Sequence, residues 1–386
     1  MDRRTREYLA GRFGDYYRSA EPTRPPAAAS REWGHIPWTS GAETTMVRHQ
    51  SIYDLGDLGD FLQRDAPRHV YFSAARYDDP GAGSMDEKGW QGADLVFDLD
   101  ADHLPGTDPE AATYAEMLAD CKDALERLLD LLERDFGFED VTVVFSGGRG
   151  YHVHVRDGGL AELDSAARRE IVDYVRAVDL DVEGLVRTRA VGGTTRRELR
   201  TRGGWGRRTH RRLRAFVEEL ESVDEATAKD RLMAVDGIGE GRATTLLGVF
   251  VGNEAAVEEG NVEVGGPGAR TLVEALAHET VEAESAPIDE PVTTDTRRLI
   301  RLPGSLHGGS GLVVRRIDRD DLDAFDPLVD AVPERFTRRS VRVEVTDPGQ
   351  VELNGDSFTL DAGDHSVPEC VGVFLMARDR ARKVKE

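Results

Sequence analysis

Asp98 and Asp100 stand two positions apart in DLVFDLDAD, residues 94–102, where four aspartates interleave with Leu95, Val96, Phe97 and Leu99. Alternate residues of a strand point to opposite faces, so Leu95, Phe97 and Leu99 make an apolar face and the two carboxylates project together from the other. Held roughly 6 Å apart, they repel by about 3 kcal/mol at an effective dielectric of about 20, and partial desolvation adds to that cost. A divalent cation removes the penalty. Hard oxygen ligands on a rigid strand suit Mg2+ or Mn2+, the ions that serve phosphoryl transfer in two-metal sites. A merely solvated edge strand in an acidic chain accounts for the same residues without an ion.

Two further segments gather polar groups at turns. In VFSGGRGYHVHVRD, Ser146, Gly147, Gly148, Arg149 and Gly150 offer backbone N–H groups, a hydroxyl and a guanidinium, a set suited to polyphosphate oxygens. Alternation then puts His152, His154 and Arg156 on one face. In PIDEPVTTDTRRLIRLPGSLHGGSGL, residues 287–312, Asp289 precedes a strand with Arg297, Arg298 and Arg301, and Ser305 and His307 follow in a Pro/Gly turn. An acid, several bases and a histidine at one turn fit a triphosphate with its metals, and a surface strand with capping side chains fits them equally.

The elements that must position these groups are legible in outline. The start of the chain reads as a helix running into the loop EPTRPPAAAS, and strands follow in TTMVRHQSI and HVYFSAARY around a helical LGDLGDFLQRDA. DLVFDLDAD is a strand, residues 109–136 an amphipathic helix, and VTVVFSGGRGYHVHV a hairpin. Strand texture returns in RRLIRLPGSLHGGSGLVVRRI and SVRVEVTD, and VPECVGVFLMARDRARKVKE reads as a closing helix. Residues 161–284 differ, being mostly helical with Arg-, Glu- and Gly-rich patches. The expected organisation is an α+β core of mixed β-sheets with flanking helices in 1–160 and 285–386, interrupted by a helical subdomain in 161–284.

At 386 residues the chain holds two or three compact units. No apolar run is long enough to cross a bilayer and the opening lacks a secretory signal, so a cytoplasmic location and no membrane are expected. Two cysteines, Cys121 and Cys370, exclude a disulfide framework and a four-cysteine cluster within the chain. The net charge is −23, with 45 Arg against 5 Lys. Such an acidic, lysine-poor composition suits molar salt, where screening falls to roughly 3 Å.

The acidic strand, the SGGRGYHVHV hairpin and RLIRLPGSLHGGSGL, in that order, resemble the catalytic small subunit of archaeal and eukaryotic DNA primases, with REWGHIPW, MVRHQSIYDL and VPECVGVFLMAR as supporting matches. The resemblance implies the primase catalytic fold and template-directed synthesis of short RNA, or also DNA, primers from nucleoside triphosphates. It assigns the metal-binding, catalytic aspartates to Asp98, Asp100 and Asp289, ahead of Asp295. It assigns the nucleotide's phosphates to Ser146, Arg149, His152, Arg301, His307 and Arg31, and leaves His154 structural. Mg2+ or Mn2+ is the implied cofactor, single-stranded DNA the template, and an iron-sulfur large subunit the partner in a heterodimer. Many relatives carry a zinc knuckle after the acidic strand, but here that segment offers only His103 and Cys121, too few to close a tetrahedral site, so zinc is not expected.

Residues 187–214 hold eleven arginines and one acid, so this window carries +10 and the rest of the chain −33. With Trp205 as a stacking surface it reads as a nucleic-acid footprint, or else as arginines paired with the chain's own carboxylates or docking the large subunit. VDGIGEGRATTLL resembles a helix-hairpin-helix turn, which a helix end followed by a new helix also explains. A metal-dependent nuclease or phosphohydrolase and a repair-associated DNA-binding module are the rival functions. Dialysis from molar KCl to low salt is expected to unfold the chain, as followed by far-UV circular dichroism; a melting temperature indifferent to salt is the contrary result.

Overall fold

The alternation in DLVFDLDAD folds as the strand Leu95–Asp100 of a computed structural model that describes residues 1–39, 45–105, 112–191 and 194–385. Leu95, Phe97 and Leu99 are fully buried, and Cys121 of the helix Tyr114–Leu131 brings its thiol to 3.6 Å from the Leu99 carbonyl. The strand lies at the edge of a four-stranded sheet, beside Gly150–Val155, then Val141–Phe145, then Arg315–Ile317. A second sheet orders Leu299–Arg301, His69–Ser73, Trp33–Ile36 and Val47–Gln50. Every strand pairing among the described residues is antiparallel, and the sheets with their flanking helices make the α+β architecture expected of the chain.

The two sheets are tied by a buried ion cluster that the sequence does not announce. Arg31 is 1% exposed and donates from one nitrogen to the Ser73 and Ala74 carbonyls, each at 2.8 Å, and from another to both oxygens of Asp94, at 3.0 and 2.9 Å. Arg156 reaches the same carboxylate at 2.9 Å, and Arg168 donates to the Ala93 and Asp94 carbonyls at 2.8 and 3.0 Å. This corrects the expectation that Arg31 faces the nucleotide. Its guanidinium is spent on Asp94 and on backbone, and it is sealed from solvent.

The chain divides into two units, one formed by Met1–Glu126, Phe138–Val172 and Pro287–Glu386, the other by Arg127–Gly137 and Asp173–Ala286. The first carries both sheets and, near its end, the strands Ser340–Val345, Gly363–Pro368 and Ala381–Lys383 with the buried helix Glu369–Ala377. The closing segment is therefore helix and then strand, because the charged ARK after the apolar run pairs with Ser340–Val345 instead of continuing the helix. The second unit is helical apart from the two-stranded ribbon Val186–Val191 and Thr194–Leu199. Its helix Gly204–Glu221 buries Arg208 against Asp130, Asp135 and Glu284 at 2.7–2.8 Å.

Removing one partner of a buried ion cluster leaves the others without a counter-charge. Asp94→Ala is expected to lower stability by about 3–5 kcal/mol, read from urea unfolding in molar KCl. Asp102→Ala, which breaks only the half-open pair with Arg149, should stay within about 1 kcal/mol of the unmodified protein.

Candidate active site

Strand register sets the site. Asp98 stands directly opposite His152, and Asp100 opposite Gly150. Gly150 is required there, since an added Cβ would fall 1.8 Å from the Leu99 carbonyl oxygen. The distant Asp289 is brought in by backbone: its N–H donates to the Asp98 carbonyl at 2.9 Å, and the short helix Glu290–Thr294 follows. Asp98, Asp100 and Asp289 then line one cleft of about 520 Å3 with His103, His152, Asp295, Arg297, Arg298 and Arg301. Asp295 is the lesser candidate structurally, because one of its oxygens accepts the Arg297 N–H at 2.9 Å.

Acidic and basic groups face each other across this cleft. Burial raises the Asp98 carboxyl to about 7, Arg301 and Arg298 oppose that shift, and Asp100 and Asp289 add to it. The Nε2 of His152 lies 3.4 Å from Asp98, yet burial and the cations Arg301 and Arg298 push this imidazole down to about 3, so it meets the carboxylate as a neutral ring. Among the described residues, no three His, Cys, Asp or Glu side chains close into a ready-made cage. The donor set nevertheless fits Mg2+ or Mn2+, which keep water and substrate phosphates as ligands and take only a few carboxylates from protein. His103 lines this cleft while Cys121 lies behind the strand against Leu99, so these two thiol and imidazole groups do not share a site; residues 106–111 of the intervening segment lie outside the described residues.

A second cluster adjoins the first through the hairpin. Gly147 has φ +75°, and a Cβ on it would sit 2.7 Å from the Cβ of His307. The 146–150 turn is thus packed on the SLHG turn. Ser310 donates to the Gly147 carbonyl, His307 Nδ1 is 3.1 Å from the Ser310 hydroxyl, and Tyr114 donates its hydroxyl to the Gly148 carbonyl. Ser146 is buried and accepts the Gly148 N–H at 3.3 Å. Arg149 pairs with Asp102, the last aspartate of the acidic stretch. Burial, followed by Arg301, His69, Arg68 and Arg149, drives His307 well below the usual imidazole range. A neutral ring encircled by three guanidiniums marks a place that attracts anions.

The sequence-derived residues thus fall into three groups. Asp98, Asp100, Asp289, His152 and Arg301 line the carboxylate cleft; Ser146, Arg149 and His307 belong to the adjoining turns; Arg31 is in neither. His154 is buried and stacked on Phe72 at 6.2 Å. Sequence reasoning did not single out Arg48 and Tyr71, which also line the cleft, or Arg68 and His69, which back His307. Only the alternation in HVYFS hinted at them, by placing Tyr71 opposite Arg301 once the strands pair.

A model of the DNA primase small subunit family matches residues 97–319, from the acidic strand to beyond the SLHG turn. The chain belongs to that family. The DNA primase small subunit PriS of Halorubrum lacusprofundi is 66% identical over 386 residues, covering all of both chains, and that of Haloarcula marismortui is 61% identical, again over all of both. The polymerase domain of Mycobacterium tuberculosis ligase D, in complex with DNA, aligns with 83% of this chain and 84% of its own at 13% identity and a TM-score of 0.37. The chain is accordingly a catalytic primase subunit, an enzyme that makes RNA primers for DNA replication. A halophilic reading of its acidic, arginine-retaining composition fits these haloarchaeal relatives.

The turn packing makes a sharp expectation for this primase. Gly147→Ala meets both a left-handed backbone and the His307 side chain, and displacement of the turn by about 1 Å costs on the order of 10²-fold in catalytic efficiency. Steady-state incorporation kinetics should show that loss mainly as a raised KM for the triphosphate, with the melting temperature in molar KCl little changed.

Proposed function

We propose that the carboxylate cleft performs template-directed nucleotidyl transfer, joining nucleotides into short primers on single-stranded DNA. The observation that carries this reading is the joining of three sequence-remote segments in one cleft: the Asp98–His152 register, the Asp289 N–H on the Asp98 carbonyl, and Arg301 beside them. Asp98, Asp100 and Asp289 would hold the metal. A bound Mg2+ or Mn2+ would neutralise triphosphate oxygens and favour the ionised form of the attacking 3′-hydroxyl.

The chain's own residues do the positioning. Arg301 and Arg298 counter the charge of the triphosphate from the cleft wall. The 146–150 turn offers backbone N–H groups and Arg149, which exchanges Asp102 for a phosphate oxygen. His307, neutral, contributes a ring nitrogen without adding charge. The 3′-hydroxyl oxygen attacks the α-phosphorus in line, the bond to the bridging oxygen breaks, pyrophosphate departs, and the hydroxyl proton passes to solvent. Because such a transition state needs charge neutralisation and alignment more than covalent help, no dedicated side-chain base is required. Initiation requires two nucleotides side by side, and an iron-sulfur large subunit completes that step in a heterodimer. Among the described residues no helix is long and apolar enough to cross a membrane, in keeping with work in the cytoplasm.

The test is nucleotide incorporation on a single-stranded template with Mg2+ or Mn2+, with and without the large subunit. Asp98→Asn with Asp100→Asn is expected to reduce incorporation on the order of 10³-fold or more, while chelation of the metal abolishes it. Incorporation by the double variant at the unmodified rate defeats the mechanism, and release of nucleotides from DNA without need of triphosphate would instead mark a nuclease.

A further inference from the structure

Nine of the eleven arginines of 187–214 lie on two elements, five on a helix and four on the ribbon. On the helix Gly204–Glu221 each is matched by carboxylate: Arg207 by Asp135, Arg208 by three acids, Arg211 by Glu284 at 2.7 Å, Arg212 by Glu219 at 3.0 Å and Glu279 at 3.2 Å, and Arg214 by Glu258 at 2.9 Å. Trp205 is 3% exposed and donates its indole N–H to the Tyr174 carbonyl, so it is core and not the stacking surface expected of it. The helix is a salt-bridged scaffold, with no basic surplus left for a partner.

The ribbon is built differently. In its register Arg189 stands directly opposite Arg196, and Arg187 opposite Glu198, which puts three guanidiniums on one face around a single carboxylate. Glu198 is buried and receives Arg196 at 3.3 Å, Arg187 at 3.7 Å and Arg189 at 3.9 Å. Among the described residues, only Arg196 of these three has a second acid, Glu259. The side chains of Arg187 and Arg189 remain 55% and 63% exposed. Like charges directly across a strand pair are destabilising, and a chain of net charge −23 has carboxylates in abundance that could have relieved them. The face keeps an unneutralised positive surplus that folding does not explain.

We propose that this face, carried by Arg187, Arg189 and Arg196, grips the sugar-phosphate backbone of the primer–template duplex; the proposal rests on the reading of the chain as a primer-synthesising enzyme. Charge complementarity selects a polyanion. Surfaces that hold single strands add aromatic platforms for unstacked bases, and none occurs between residues 186 and 202. A ribbon of arginines without rings meets backbone phosphates, which a duplex presents in regular array while its bases stay stacked. Arginine suits molar salt, because its bidentate hydrogen bonds to phosphate act at contact distance, inside the roughly 3 Å over which charge is still felt.

The experiment uses the full chain and fluorescence anisotropy of an RNA-primed DNA hairpin, over a range of KCl concentrations in which circular dichroism shows each variant folded. Arg187→Ala with Arg189→Ala is expected to weaken duplex binding at least tenfold and to make the plot of log K against log salt shallower by about 2. Arg187→Lys with Arg189→Lys should restore the slope and only part of the affinity. Arg211→Ala with Arg212→Ala, an equal loss of charge from the helix, should leave binding within twofold. The unprimed strand should lose less than threefold in the ribbon variant.

Equal weakening by the helix variant, undiminished duplex binding by the ribbon variant, or an equal loss on the single strand overturns the proposal. So does retained duplex binding with lost co-elution of the large subunit, which would make the face a protein-docking surface. Failure of the primer-synthesis reading is separable: it appears as no incorporation by the unmodified protein, whereas Asp98→Asn with Asp100→Asn should still bind the duplex.

Discussion

A carboxylate that cannot leave a partly dehydrated cleft is the constraint around which the catalytic unit is arranged. Asp98 sits on a strand whose opposite face is fully buried, so its side chain has nowhere else to point. Burial makes its charge costly, and Asp100 and Asp289 make it costlier. Arg301 and Arg298 offset part of that cost, and the proposed metal would offset more. The surrounding elements hold the arrangement in register: Gly150 allows the hairpin strand to close on Leu99, Asp289 locks to the Asp98 backbone, and Asp94 pins the start of the same strand to the neighbouring sheet through Arg31 and to the hairpin strand's end through Arg156.

The same stretch of chain therefore uses its aspartates in opposite ways. Asp94 and Asp98 lie four positions apart, two periods of the alternation, yet Asp94 is paired with Arg31 and Arg156 while Asp98 faces the cleft with the neutral His152 at 3.4 Å. Saturation gives rigidity, because removing any partner strands a buried charge. Incomplete satisfaction gives affinity for an exogenous cation, because binding relieves an existing repulsion. Arginine shows the same division in the second unit, where the helix is neutralised residue by residue and the ribbon is not. In so acidic a chain, where basic groups are scarce relative to acids, an arginine without a full counter-charge is the informative one.

What could be read from sequence followed the range of the interactions concerned. Local periodicity disclosed the acidic strand, the amphipathic helix and the hairpin, because alternation and turn glycines act over a few residues. The nearness of Asp289 to Asp98 and of His307 to Gly147 lay beyond such patterns and came only from the family resemblance. Arg31 misled for a related reason: an arginine at the start of REWGHIPW has no local mark that separates a phosphate ligand from a buried strut, and its partner Asp94 lies far along the chain. The ribbon was missed although Val186, Thr188, Val191, Thr194 and Thr195 are β-branched, because two short strands stand isolated in a segment whose overall texture is helical. The closing strand was missed because it follows an apolar helix without a proline or glycine between them.

The imidazoles complete the electrostatic logic of the phosphate region. His69 and His307 face each other at 4.9 Å between ring centroids, and burial together with Arg301 and Arg68 lowers both far beneath their ordinary range, His69 to about 3. Neither ring gains a proton anywhere near neutral pH. The positive charge offered to a triphosphate is therefore set by guanidiniums, which stay protonated in any physiological medium. The histidines supply shape and hydrogen-bonding nitrogen without making the charge of the site depend on pH. A protonated imidazole would add attraction for the incoming triphosphate and for the departing pyrophosphate alike, slowing release as much as it aided capture. In the proposed reading, neutral rings leave the arginines to hold the anion, and the turn glycines let backbone N–H groups orient it.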